Sequence, residues 1–118
     1  VLGHLDLVRR YAPYKYDSND HLIGLDIIKA IFKTLIENGK GIELNSSGFG
    51  HSSGVPLPHP DIIRLYRELG GEIITIGSDA HSSEFVAYES KRSVDLLKSL
   101  GFKYVTRFDK MEPEFAKI

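Results

Sequence analysis

The chain has 118 residues, 15 basic and 16 acidic side chains, a formal net charge of −1 and no cysteine. That length suits one domain or part of a larger one, and the 42% apolar and 26% charged fractions are those of a soluble globular protein. The missing cysteine excludes disulfides and thiolate metal sites, no apolar run approaches the roughly 20 residues of a membrane span, and no basic block offers a footprint for a phosphate backbone, so the expectation is a cytoplasmic protein that binds neither membrane nor nucleic acid.

VLGHLDL (1–7) reads as a short buried strand and YAPYKYDSND (11–20) as a polar loop. Between 21 and 38, Leu25, Ile28, Ile31, Phe32, Leu35 and Ile36 recur at helical spacing, with Asp20 as the expected N-cap and Gly39 as the terminator. GIELN (41–45) is the next strand, followed by SSGFGHSSGVPLP (46–58), a loop whose glycine and serine content suggests mobility. Ile62, Leu65, Tyr66 and Leu69 define a second helix ending at Gly70-Gly71, and EIITIG (72–77) is the most β-prone run of the chain. A third helix is expected over 84–100, stopping at Gly101 and leading to a strand at KYVTRF (103–108). Residues 1–108 read as one unit and 109–118 as a polar tail.

The order is β-α-β-α-β-α-β, which parallel strands joined by crossover helices produce. The fold class is therefore α/β, with four strands and three helices making about half of a (β/α) barrel. An open doubly wound sheet is the alternative, but its phosphate-binding forms carry a glycine-rich turn, and neither GxGxxG nor GxxxxGK occurs here. The start at Val1, inside an apolar segment, suggests a piece of a longer protein.

In parallel α/β folds ligands bind beyond the carboxyl ends of the strands. There the expected strands end in Gly3-His4-Leu5-Asp6, in Asn45 and its following serines, in Ser78-Asp79-Ala80-His81 and in Thr106-Arg107. Asp79 and His81, two apart in extended chain, point to one side and could ligate a metal together with His4. Asn45 and the loop hydroxyls could then bond a substrate. Plainer roles exist for each: Asp79 and His81 as a hydrogen-bonded pair or helix cap, His4 as a core imidazole, His51 as a loop residue without chemistry, His21 and His59 as surface residues. Arg9 and Arg10 are either solvated charges or bidentate phosphate contacts. Asp6 and Glu43 could form internal ion pairs or stand behind metal ligands.

GHLDLVRRY, GIELNSSGFG and GGEIITIGSDAHSSEFVAYESKRSVDLLKSLGFKYVTRF together resemble the C-terminal half of the PHP-family histidinol-phosphatases, from Gly3 to about Phe108. The resemblance implies a distorted seven-stranded (β/α) barrel with two or three zinc, manganese or iron ions, hydrolysing L-histidinol phosphate in histidine biosynthesis. It makes His4 a metal ligand and Asp79 and His81 the final D-x-H ligand pair. Asp79 would also accept the proton of the nucleophile, and His81 would ligate or serve as general acid. Arg10, with Arg9 as its rival, would contact the phosphate, and Asn45 would shape the site.

Two departures stand out. Gly50 occupies a place where the family often has an arginine for the phosphate, and His51 beside it would partly replace that contact. The family's N-terminal H-x-H motif, its next histidine and its bridging glutamate are absent. The chain would thus carry part of a metal site, be inactive alone, and pair with the missing N-terminal half of the barrel or form a homo-oligomer. Two rival readings are a PHP phosphoesterase of another substrate, such as a nucleotide, and a non-catalytic half-barrel interaction module.

Overall fold

The computed structural model describes residues 1–11, 22–51 and 53–118; the expected N-cap Asp20, His21 and residues 12–20 of the polar loop lie outside the described residues. Elements run in the order α1 (Val8–Tyr11), α2 (Leu25–Glu37), β1 (Ile42–Asn45), a 3-10 turn (Ser46–Gly50), α3 (Pro60–Glu68), β2 (Ile74–Gly77), a second 3-10 turn (Ser83–Phe85), α4 (Ser90–Ser99), β3 (Tyr104–Asp109) and β4 (Glu112–Lys117).

The apolar stripe of α2 packs inward as its spacing predicts: Phe32 is fully buried, and Leu25, Ile28, Ile31, Leu35 and Ile36 lie against the core. Helix α3 begins with His59 as N-cap and Pro60 in the first turn, and buries Ile62, Ile63 and Tyr66. All three long helices end alike. In α2, Gly39 N–H bonds Ile36 O and Lys40 N–H bonds Leu35 O; Gly70 and Gly71 repeat the pattern on Arg67 and Tyr66, and Gly101 and Phe102 on Lys98 and Leu97. These paired bonds occupy carbonyls that a helix end otherwise leaves open. Helix α4 starts later than its apolar pattern suggests, at Ser90, because Ala87 and Glu89 adopt left-handed φ values of 60° and 52° that no helix contains.

Strands β1 and β2 pair in parallel, Ile42 opposite Ile74 and Asn45 opposite Gly77, with α3 as the crossover. The α/β class and this βαβ unit agree with the alternation in the sequence. Two expected strands differ. In 1–7 only Leu2 pairs: its N–H bonds Gly41 O, and its O accepts from Glu43 N–H. The ladder stops there because His4 takes φ 29° and hands its N–H to the Glu43 side chain.

The segment 103–108 is not a fourth parallel strand. β3 pairs antiparallel with β4 across a two-residue turn, Lys110 and Met111 at φ 48° and 70°. Against β2 it offers a side chain in place of a ladder, the buried Thr106 Oγ1 accepting from Ile74 N–H at 3.2 Å.

The core is one cluster: Phe32 from α2, Ile42 and Leu44 from β1, Ile62, Ile63 and Tyr66 from α3, Ile74, Leu97 and Phe102. Phe32 meets the Tyr66 ring edge-on at 5.1 Å, and Tyr66 Oη donates to Ile73 O at 3.1 Å. Burial pushes the Tyr66 phenol from 10.0 up to about 12. A folded-state value above the unfolded one means stability that is complete below pH 10 and lost as pH rises through 12. Between pH 8 and pH 11 the chain should lose on the order of 1 kcal/mol through this group, a loss that Tyr66→Phe should not show. Urea midpoints of both proteins at the two pH values test this.

Candidate functional site

The carboxyl ends of β1 and β2 lie side by side, and side-chain bonds set the path of the chain beyond each strand. Asn45, 1% exposed, directs its amide in two ways: Nδ2 donates to Glu43 Oε2 at 3.2 Å, and Oδ1 accepts from Ser47 N–H at 3.1 Å and Ser47 Oγ at 2.6 Å. It therefore caps the 3-10 turn and fixes the direction in which the chain leaves the sheet. Asn45 N–H and O both bond Leu57, so the loop 46–57 is closed at its base. Its interior is held as well. Arg92 stacks on Phe49 at 4.1 Å and donates to Gly54 O at 3.1 Å.

Ser46, fully buried, donates to Tyr88 O at 2.5 Å and so ties the loop after β1 to the segment before α4. Ser46→Ala leaves that carbonyl without its hydroxyl and should cost about 1–2 kcal/mol, read as a lower urea midpoint at unchanged slope. The link between Ser46 and Tyr88 joins two loops far apart in sequence, and no local pattern announces it.

His4 is half-buried at φ 29°, with its N–H on Glu43 Oε2 at 3.0 Å. Asp79 and His81 lie just past β2, both exposed, with Asp79 at φ 50°. Left-handed backbone at a non-glycine residue is uncommon, and here both His4 and Asp79 have it. His81 Nδ1 lies 2.7 Å from the backbone O of Asp79. That oxygen only accepts, so in the neutral ring Nδ1 carries the hydrogen and Nε2 keeps its lone pair. This is the arrangement found behind metal-bound imidazoles. One imidazole nitrogen and a carboxylate form a donor pair suited to zinc, manganese or iron. Among the described residues, however, no three His, Asp or Glu side chains stand close enough together to hold a metal ion.

The remaining candidates separate. Arg9 Nη1 is paired with Asp6 Oδ2 at 3.0 Å, the two side chains 14% and 15% exposed. The same Asp6 oxygen accepts from His59 N–H at 3.0 Å, so Arg9 and Asp6 brace α1 against the start of α3. The side chain of Arg10 lies outside the described residues. His51 is half-buried and closes the 3-10 turn through its N–H to Gly48 O. His59, expected at the surface, is instead largely covered, its side chain 21% exposed and its Nδ1 accepting from Asp61 N–H at 3.3 Å, because it caps α3. A side chain at Gly50 would put its Cβ 3.3 Å from Tyr88 Oη, a tight contact that a small shift of the phenol would relieve. No helix among the described residues is long and apolar enough to cross a membrane.

Comparison with known proteins gives relatives of one kind. A protein of Thermotoga maritima named "Probable histidinol-phosphatase" is 37% identical over 106 residues, 89% of this chain and 42% of its own length. The "Histidinol-phosphatase" of Lactococcus lactis is 29% identical over 110 residues, 93% of this chain and 40% of its own. A "Probable histidinol-phosphatase" of Clostridium acetobutylicum is 28% identical over 104 residues, 88% and 40% respectively. No protein-family model matches the chain. The chain thus spans about two fifths of the length of the curated relatives it matches, and over that stretch it is similar to histidinol-phosphatases.

Proposed function

We propose that this chain supplies the final D-x-H ligand pair, Asp79 and His81, and a further ligand, His4, to the site of a metal-dependent phosphomonoester hydrolase acting on L-histidinol phosphate. The observation that carries the proposal is the strand end Gly77-Ser78-Asp79-Ala80-His81. There the His81 ring is held by the Asp79 carbonyl with Nε2 free, in a chain 37% identical to a protein named as such a phosphatase. Two or three zinc, manganese or iron ions, when bound, would lower the pKa of water towards neutrality and neutralise charge on the phosphoryl oxygens.

The chain's own residues would do the rest. Asp79 would hold a cation and take the proton of the attacking water, and His81 would ligate through Nε2 or protonate the leaving alcohol. Arg10 is the better phosphate contact of the two arginines, because Arg9 is engaged by Asp6. Asn45, its amide spent on Glu43 and Ser47, would act by shape, and His51 would stand beside the phosphate where Gly50 lacks a side chain. The other ligands would come from the N-terminal half of a distorted seven-stranded barrel, of which residues 1–108 would be the C-terminal half. That half, or a second copy, would also cover the exposed Val8, Tyr11, Ile23 and Ile27.

A second reading, a non-catalytic interaction module, is favoured by the finding that no three ligand-type side chains among the described residues are grouped to hold a metal ion. Phosphate release from L-histidinol phosphate with added manganese, by this chain with and without the N-terminal half of a relative, separates the two. Activity in the mixture alone supports the split site. Inactivity of a mixture shown to be folded supports the module.

A further inference from the structure

At the ends of the parallel strands one oxygen atom carries two bonds. Glu43 Oε2 accepts from His4 N–H at 3.0 Å and from Asn45 Nδ2 at 3.2 Å. Glu43 itself sits in β1 opposite Thr75, between the Leu2 segment on one side and β2 on the other. The carboxylate has room there because both neighbours lack side chains. A Cβ on Gly77 would come within 2.0 Å of Glu43 Oε1 and 3.0 Å of its Cδ, and one on Gly3 would stand 3.4 Å from Oε2. The first of these distances is far inside any real contact, so the carboxylate in this position and a side chain at 77 exclude each other.

We infer that Glu43 is a positioning residue, its carboxylate seated in the slot left by Gly3 and Gly77 and holding the His4 backbone in the left-handed turn that ends its strand-like pairing. The inference deepens the reading of His4 as a ligand and rests on it. The physical reason is a competition for one N–H. Had His4 continued the ladder begun by Leu2, its N–H would have served a backbone carbonyl and its chain would have stayed extended. The carboxylate takes that N–H instead, a charge-assisted bond stronger than the neutral one it replaces. That bond offsets the left-handed φ of 29°. Gly77 then has a role apart from the D-x-H pair beyond it: it clears the space in which Glu43 works.

Amide hydrogen exchange on the 118-residue chain tests the inference without substrate. In Glu43→Ala the His4 amide should exchange at least about tenfold faster, while the Leu2 amide, bonded to Gly41 O, keeps its protection. Glu43→Gln keeps an oxygen for both donors and should restore most of the His4 protection. Gly77→Ala should expose the His4 amide as Glu43→Ala does, and the double variant should be no worse than Glu43→Ala alone, since the methyl then has nothing to strike. In the mixture with the N-terminal half, manganese affinity should fall about 10–100-fold in Glu43→Ala and recover in Glu43→Gln.

An unchanged His4 amide in Glu43→Ala, or equal loosening at Leu2, would overturn the inference, as would independent effects of the Gly77 and Glu43 substitutions. If Gly77→Ala does not fold, the Ala and Gln variants at 43 decide alone. Loss of the exchange pattern with phosphate release intact defeats the positioning role only. The exchange pattern without phosphate release defeats the phosphatase reading only.

Discussion

Asp79→Asn should lower phosphate release from L-histidinol phosphate about a thousandfold or more when the chain is assembled with the N-terminal half of a relative. That corresponds to roughly 4 kcal/mol of lost transition-state stabilisation, within what a correctly placed cation supplies to phosphoryl transfer. The substitution isolates charge from shape. Asp79 stands at φ 50°, a region that asparagine tolerates about as well as aspartate, so the turn after β2 and the His81–Asp79 carbonyl bond should survive. Alanine would confuse the two effects, because it would strain the same turn. Manganese affinity measured alongside by calorimetry should fall with turnover. Full turnover in Asp79→Asn would reduce Asp79 to a turn residue and remove it from the chemistry.

Gly41→Ala should have the largest effect on stability. Gly41 immediately precedes β1, where the chain lies hard against the end of α3's crossover: a Cβ there would come 2.0 Å from Ile73 O and 2.4 Å from Ile73 Cγ2. Gly41 O also accepts from Leu2 N–H, and the neighbouring Ile42 N–H bonds Ile73 O, so the backbone cannot swing aside without breaking the sheet. Overpacking ordinarily costs about 1–3 kcal/mol, and here the obstacle is backbone, so at least about 3 kcal/mol is expected. A chain of this size has ~5–15 kcal/mol in all, and the variant should unfold at a markedly lower urea concentration or fail to fold cooperatively. Gly70→Ala is the informative contrast. Its Cβ would meet open space, and only the φ of 93° opposes it, so the expected loss is near ~1 kcal/mol. Equal midpoints for the two variants would mean that the close approach of β1 and β2 is not maintained in solution.

These predictions draw on different parts of what the sequence made legible. Helix α2 was visible in its apolar stripe and Gly39, and α3 in Ile62, Tyr66 and the Gly70-Gly71 end. Strand β2 was visible as a β-branched run, and β1 as the short segment GIELN, within a βαβ alternation. The D-x-H pair was visible as a motif, but its expected extended geometry was not met: Asp79 turns to φ 50°, and the His81 ring meets the Asp79 backbone carbonyl. The covered position of His59 was not, since its N–H donates to Asp6, 53 residues away, and that contact depends on where distant segments meet. Nor was the hairpin of β3 and β4. Its turn uses Lys110 and Met111 at positive φ, where Asn-Gly would have announced it.

By itself the sequence determined the elements whose causes are near neighbours: helical periodicity, glycine-ended helices, parallel strands around a crossover, and two ligand-type residues at a strand end. Only the tertiary structure decided how the strand ends are finished. His4 and Glu43 are 39 residues apart, and Ser46 and Tyr88 are 42 apart. Each pair is joined by a hydrogen bond between segments that only the tertiary structure brings together. Gly77 is an ordinary strand residue in one dimension and the floor of a carboxylate slot in three. The difference is physical: propensity and capping act within a turn or two of chain, whereas the direction of a strand end is set by whichever distant acceptor reaches its N–H first.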